Sequence, residues 1–215
     1  MIRRALVPLV AILSFVLAPA ASAQSDKPVQ LHVFGGWSPI AGDASTYIDD
    51  GWDIAFGGVW HPNPQRPLGL RFDLAYDWWN VPTGNLPAGD FTVDNGDANN
   101  WSLRAGLQFD SHNQGRAHFS GGIGLGGYSV HGRLTNSVVV PGYICDPWWG
   151  WCYPGLVEGD SVVASKTTTK LGYYATVGAA FDTSGAGQVF VEAQYHYVTL
   201  SHTLEYWPIV VGYRW

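Results

Sequence analysis

The last nine residues, Trp207-Pro208-Ile209-Val210-Val211-Gly212-Tyr213-Arg214-Trp215, constrain the fold more than any other stretch. Trp207, Ile209, Val211, Tyr213 and Trp215 alternate with Pro208, Val210, Gly212 and Arg214. A period of two puts the apolar set on one face of a strand. A naked apolar strand at the end of a chain is an aggregation-prone edge in water. A closed barrel that crosses a membrane can use such a strand, because closure pairs both edges and lipid covers the apolar face.

Seven further segments share this period, over residues 29–37, 52–61, 68–78, 101–110, 117–128, 170–182 and 188–200. Short turn-forming stretches at 61–66, 111–115 and 183–187 join some of them, and long polar segments near 38–51, 79–100 and 129–169 join others. No apolar run is long enough for a spanning helix. The expected fold is an all-β, eight-stranded antiparallel up-and-down transmembrane barrel, with short periplasmic turns and longer extracellular loops. Trp37, Trp52, Trp78, Trp101, Tyr197 and Trp207 fall at the loop ends of the outward faces. Trp60, Phe109, Phe119, Phe181 and Trp215 fall at the turn ends. Aromatic rings favour the headgroup level, so the two sets predict two girdles.

The beginning of the chain is consistent with export. Arg3 and Arg4 precede an apolar run from Ala5 to Leu17, and Ala21-Ser22-Ala23 offers a small-residue cleavage pattern. Residues 1–23 are expected to be a cleaved signal peptide and 24–215 the barrel domain. The expected location is the bacterial outer membrane, with both termini in the periplasm. Removing the signal leaves 9 basic and 17 acidic side chains, a formal charge of −8. No basic patch suits a nucleic acid, and no residue pattern calls for a cofactor or metal.

The face opposite the apolar set carries the candidate lumen network: Asp53, Arg71, Asp73, Arg104, Lys170, Glu192, His196 and Arg214. An eight-stranded barrel leaves just enough interior for side chains to fill, and charges there must be paired or hydrated. Arg71, Arg104, Lys170 and Arg214 are therefore expected to pair with Asp53, Asp73 and Glu192. Two arrangements satisfy this requirement: a structural plug of ion pairs, or a narrow gated path for water or ions.

Enzyme signals are sparse. His118-Phe119-Ser120 resembles the His-x-Ser pair of lipid A 3-O-deacylases, but Gly121 stands where that pattern continues with Asn. His196, Ser201, His202, Glu192 and Glu205 offer nucleophile and base types near the outer end, and only geometry identifies a triad. The reading is non-enzymatic, with a lipid A-modifying hydrolase as the remote alternative.

Cys145 and Cys152 are the only cysteines and bracket Trp148, Trp149 and Trp151. Export through an oxidising compartment favours a disulfide between them. The three Trp either fold back onto the barrel rim or outer leaflet, or contact an extracellular partner.

Gly121-Gly122-Ile123-Gly124-Leu125-Gly126, the stretch Val189 to Tyr197 and the ending Pro208 to Trp215 carry a family resemblance. On these residues the chain resembles the small eight-stranded outer-membrane β-barrel superfamily of opacity-type adhesins, OmpX-like proteins and the OmpA membrane domain. The resemblance implies that Val211, Tyr213 and Trp215 form the signal read by the barrel-assembly machinery, with Trp215 where Phe is usual. It implies contact with outer-membrane lipid and lipopolysaccharide. The implied function is a structural, adhesive or protective surface role carried by the loops, the alternative being a narrow small-solute channel.

Overall fold

The structure is a computed structural model that describes residues 28–63, 65–83, 93–111, 116–145, 151–183, 187–200 and 203–215. The expected signal segment, Trp148, Trp149, Ser201 and His202 lie outside the described residues.

The strands are β1 (Val29–Ser38), β2 (Ile40–Ala41), β3 (Gly51–Trp60), β4 (Leu68–Asn80), β5 (Asn95–Asp110), β6 (Ala117–Cys145), β7 (Cys152–Asp182), β8 (Gln188–Val198), β9 (Leu204–Tyr206) and β10 (Ile209–Arg214). Neighbours pair antiparallel from β1 through β3, β4, β5, β6 and β7 to β8. β10 then pairs with β8 on one side and β1 on the other, which closes an eight-stranded ring. Trp215 extends the closure, because its N–H and C=O both bond to Leu31, at 2.9 and 3.0 Å.

The wall has inverted polarity. In β3, Asp53, Ala55 and Val59 are buried while Trp52, Phe56 and Trp60 are about half exposed. The same alternation runs through β4 and β5. Leu103, Ile123, Leu125, Leu171 and Val177 form a continuous outward aliphatic band on β5, β6 and β7. Apolar surface of that extent must be covered, and a lipid bilayer covers it. Aromatic rings edge the band. At one end Trp37 lies opposite Trp52 and Trp52 opposite Trp78. On the same end Trp101 packs on Tyr76 at 4.8 Å and Trp207 on Tyr195 at 4.5 Å. At the other end stand Trp60, Phe109, Phe119 and Phe181, each exposed.

The expected long loops fold further than the sequence suggested. The segment near 129–169 is a β-ribbon continuous with the wall. β6 pairs with β7 without interruption from Ala117↔Phe181 to Cys145↔Cys152, with one bulge beside Leu134 and Thr135. β5 stops at Asn95, opposite Thr135, and β8 stops at Val198, opposite Gly172. Beyond those points, among the described residues, β6 and β7 pair only with each other, and the Ser137 N–H donates to Asp94 Oδ2 at 2.9 Å. β-branched residues such as Val138, Val139, Val140, Val162, Val163 and the run Thr167–Thr169 favour extended backbone. They leave no period-two signal, because water reaches both faces. The segment 38–51 also gains structure. β2 pairs with β9, and a 3-10 turn over Gly42–Thr46 follows it.

The disulfide Cys145–Cys152 is formed and joins the last register pair of the ribbon. From Thr135 to Cys145 is ten strand steps, about 33 Å at roughly 3.3 Å per residue. A crosslink so far from the wall acts locally. Replacing both cysteines by Ser should leave thermal unfolding of the barrel in lipid unchanged and speed amide exchange in residues 136–145. A lower unfolding temperature for the barrel would contradict this local role.

Candidate functional site

Among the described residues, the buried charged groups gather in the lumen, in three layers. Nearest the short turns, Arg214 Nη1 donates to Asp110 Oδ1 at 3.1 Å, and His61 Nε2 lies 3.3 Å from Asp110 Oδ2. In the middle, Arg71 Nε donates to Asp73 Oδ2 and its Nη1 to Glu192 Oε2, both at 2.7 Å. His32 Nε2 meets the other Asp73 oxygen at 2.7 Å, and Gln194 Nε2 donates to Glu192 Oε1 at 2.8 Å. Arg71 therefore holds two carboxylates, from its own strand and from across the barrel. Gly57 makes this possible, because a Cβ there would run into the Asp73 carboxylate and the His32 ring.

The third layer lies toward the ribbon. Arg104 Nη1 donates to Gln194 Oε1 at 2.9 Å and lies 3.0 Å from His196 Nε2. His196 Nδ1 bonds to the Tyr128 hydroxyl at 2.9 Å, and its ring stacks on Tyr206 at 4.6 Å. Asn100 Nδ2 donates to Asp77 Oδ2 at 2.8 Å. Asp53 sits opposite Asp77 in register, and the two buried carboxyls meet side chain to side chain.

Above this layer an apolar cap covers the mouth. Ile40 of β2, Ala44 of the 3-10 turn, Trp79, Ala98, Val198, Leu204 and Tyr206 pack into one buried cluster. Trp79 Nε1 pins it by donating to the Ser38 carbonyl at 3.1 Å. β2 and β9 continue the wall strands β1 and β10 in the same register, so these side chains line the inside of that end of the barrel and the 3-10 turn packs against them. His32, Asp53, Arg71, Asp73, Asp77, Arg104, Glu192, His196 and Arg214 are all 4% exposed or less.

Of the eight lumen residues read from the sequence, seven are buried together. Lys170 is the exception. It lies opposite Tyr128 on the inward parity of β7, yet it is exposed and outside the network, because β8 ends at Val198 and no wall covers it. The expected partners also shift. Arg214 pairs with Asp110 and not with the carboxylates named for it, Arg104 bonds to Gln194 and lies against His196, and Asp53 lies beside Asp77 with no ion pair. Sequence reasoning passed over Asp110 and His61. Asp110 shares the parity of Arg104 and Gln108, so extending that strand's alternation by one step would have found it. The inward face is also bulkier than expected. Phe34, Phe190, Tyr128 and Tyr206 are buried within it, and Arg71 and Arg104 lie over the Phe34 ring at 5.5 and 5.8 Å.

The enzyme-like groups do not assemble. His118 Nε2 bonds to Asp182 Oδ2 at 2.9 Å at the short-turn end, and no bond links it to Ser120 among the described residues. His196 is fully buried against Arg104 and Tyr128, and Glu192 is occupied by Arg71 and Gln194. Trp151, at the far end of the ribbon, is 66% exposed. Val211 faces outward, and Tyr213 stacks on Trp215 at 6.1 Å.

These features define a class: an eight-stranded membrane-spanning β-barrel with a filled lumen, a capped mouth and one projecting ribbon. The fold is that of the small outer-membrane β-barrels. It is similar to the crystal structure of Neisserial surface protein A, with a TM-score of 0.53 at 11% identity over 87% of this chain and 96% of that one. Weaker likenesses are to Ail of Yersinia pestis (0.43, 14% identity, 88% of this chain and 100% of that one) and OprG of Pseudomonas aeruginosa (0.44, 9%, 90% and 99%). No protein-family model matches the sequence, and neither does any curated protein.

Arg71 is the keystone of the lumen. Arg71→Ala would leave Asp73 and Glu192 buried without their shared cation, which costs about 3–5 kcal/mol. Urea unfolding of the refolded barrel in lipid vesicles should show that loss. A loss under about 1 kcal/mol would mean that water compensates the two carboxylates.

Proposed function

We propose that this protein is a non-enzymatic surface protein of the bacterial outer membrane, in which the barrel anchors and the ribbon acts. The single observation that carries this reading is the contrast between the two halves. The lumen is filled and capped, whereas the ribbon offers unpaired strand edges to solvent. Among the described residues, β7 pairs only with β6 from Cys152 to Leu171. Its stretch from Asp160 to Leu171 contains neither Pro nor Gly, so its backbone groups are open to an added strand. An adhesive role by strand addition follows from that geometry. In this reading the ribbon faces outward and the short turns and termini face the periplasm. Export would remove residues 1–23, and Val211, Tyr213 and Trp215 would be read by the assembly machinery.

Excising residues 131–167 and joining Val130 to Thr168 by Asn-Gly should leave a heat-modifiable barrel in the outer membrane and abolish attachment of the cells to surfaces that the intact protein confers. Attachment that survives the excision would overturn the adhesive reading. Deleting Trp215 should reduce the folded barrel in the membrane, seen as loss of heat-modifiable protein. Equal amounts would remove Trp215 from the assembly signal.

The channel reading fares less well against the same geometry. Ion passage would need Arg71, Arg104 and the cap around Trp79 to move together. Planar-bilayer recordings of well-folded protein should be silent, and steady single-channel steps would reverse the preference. The lipid-modifying alternative has no assembled nucleophile among the described residues. An altered lipid A mass after overexpression would restore it.

A further inference from the structure

The far end of the ribbon differs in composition from the rest of the chain. Residues 138–145 and 151–157 contain no charged residue and no Ser, Thr, Asn or Gln. Both faces of the ribbon are apolar there. Cross-strand partners share a face, and the faces alternate along each strand. One face carries Val139, Pro141, Tyr143, Pro154 and Leu156, because Pro141 lies opposite Leu156 and Tyr143 opposite Pro154. The other carries Val138, Val140, Tyr153 and Val157, because Val140 lies opposite Val157. Tyr143 is 71% and Leu156 68% exposed on the first face, and Tyr153 is 56% exposed on the second. Trp151 adds an exposed ring beside the disulfide.

This apolar end is remote from the wall. Ser129 lies opposite Trp101, at the level of the girdle. From Ser129 to Cys145 is sixteen strand steps, about 53 Å at roughly 3.3 Å per residue. β6 and β7 stay paired over that length, with the one bulge beside Leu134 and Thr135. Just behind the tip the surface turns acidic. Asp160 lies opposite Ser137, whose N–H donates to Asp94 Oδ2, and both aspartates are exposed.

Apolar surface on both sides of a thin ribbon limits what can cover it. A folded partner, or a second copy of the ribbon, lies against one face and leaves the other in water. A bilayer that receives the ribbon end-on covers both faces together. We propose that the tip of the ribbon inserts into the interfacial layer of a second, zwitterionic bilayer, opposite the one that the barrel spans. Tyr143, Trp151 and Tyr153 lie within two strand steps of the disulfide, so shallow entry seats their rings at the level that amphipathic rings favour. The outward N–H groups of a two-stranded ribbon oppose deeper entry, since hydrocarbon cannot satisfy them. Pro141 and Pro154 have no N–H and so lower that cost. The tip brings no cation to an anionic surface, and Asp94 and Asp160 behind it are repelled by one, which selects a zwitterionic membrane.

The test uses the full barrel refolded in phosphatidylcholine nanodiscs and floated with phosphatidylcholine vesicles on a density gradient. Discs that carry the protein should float with the vesicles, and empty discs should not. Binding should survive about 0.5 M salt, because no charge takes part. The double variant Tyr143→Asp, Trp151→Asp should lower vesicle binding about tenfold while remaining heat-modifiable, the scale of losing two partly buried rings. Should that variant fail to fold, Leu156→Asp should lower binding about threefold. Lys166→Gln, at the root of the ribbon, should change nothing. Protein-bearing discs that stay at the bottom of the gradient would overturn the proposal and leave the tip on its own leaflet. Discs that pair only with one another would overturn it in favour of a second copy, and a folded double variant with full binding would exclude the tip. This role rests on the reading in which the ribbon acts outside the cell. Discs that float while the excised strain still attaches would fail that reading and not this role. Discs that ignore vesicles while attachment is lost with the ribbon would do the reverse.

Discussion

Closure of the backbone ladder is the constraint on which the rest depends. Within hydrocarbon there is no water to satisfy an open strand edge, so the first and last strands must find each other. β10 does this in six residues, Ile209–Arg214, by pairing with β1 through Arg214↔His32 and with β8 through Arg214↔Gln188. Once the ring is closed, every residue of the wall points either to lipid or to the lumen. Polarity then inverts relative to a soluble protein. Phe56, Phe72 and Leu74 face outward, while Arg71, Asp73 and Glu192 are buried. Charges inside a closed wall have no solvent, so their pairing is a consequence of closure and not an independent feature.

That dependence explains what could be read from the sequence. Outward residues meet lipid along a whole strand, so they repeat at every second position, and eight segments were visible. The lumen residues were visible for the same reason, as the complementary parity. Their partners were not. Arg71 reaches Glu192 across 121 residues of sequence and across the barrel, which only the closed ring brings about. Lys170 has the right parity but the wrong height, and height depends on where β8 stops. The ribbon was missed because parity signals a boundary between lipid and lumen. A strand with water on both sides has no such boundary, so Val138-Val139-Val140 and Thr167-Thr168-Thr169 read as loop.

The composition of the lumen makes a moving path costly. Three arginines face five carboxylates there: Asp53, Asp73, Asp77, Asp110 and Glu192. Arginine offers a rigid planar fork, so one guanidinium can bridge two carboxylates at fixed angles, as Arg71 does. The aromatic rings of Phe34 and Phe190 fill the space between the guanidinium layers. Moving any one group would expose a charge to a low-dielectric neighbour, so the layers resist displacement together. A lumen built this way stabilises the wall and is ill suited to transport.

The ribbon poses the opposite problem, because it leaves closure behind and regains two edges. Pro141 and Pro154 stand within the two paired strands near the disulfide, and Gly142, Gly155 and Gly159 weaken the same region. Proline removes ladder donors, so the far end is protected against indiscriminate pairing. The near end has no such break. From Asp160 to Leu171 the edge of β7 is continuous, and its only guards are Lys166 and Lys170. Lysine on an edge deters a second copy of the same strand through like charge, since two such edges would bring four ammonium groups together. It does not deter an acidic strand or an anionic headgroup. This edge of β7 is therefore selective by charge, and the same two lysines that keep copies of this barrel apart favour a negatively charged neighbour.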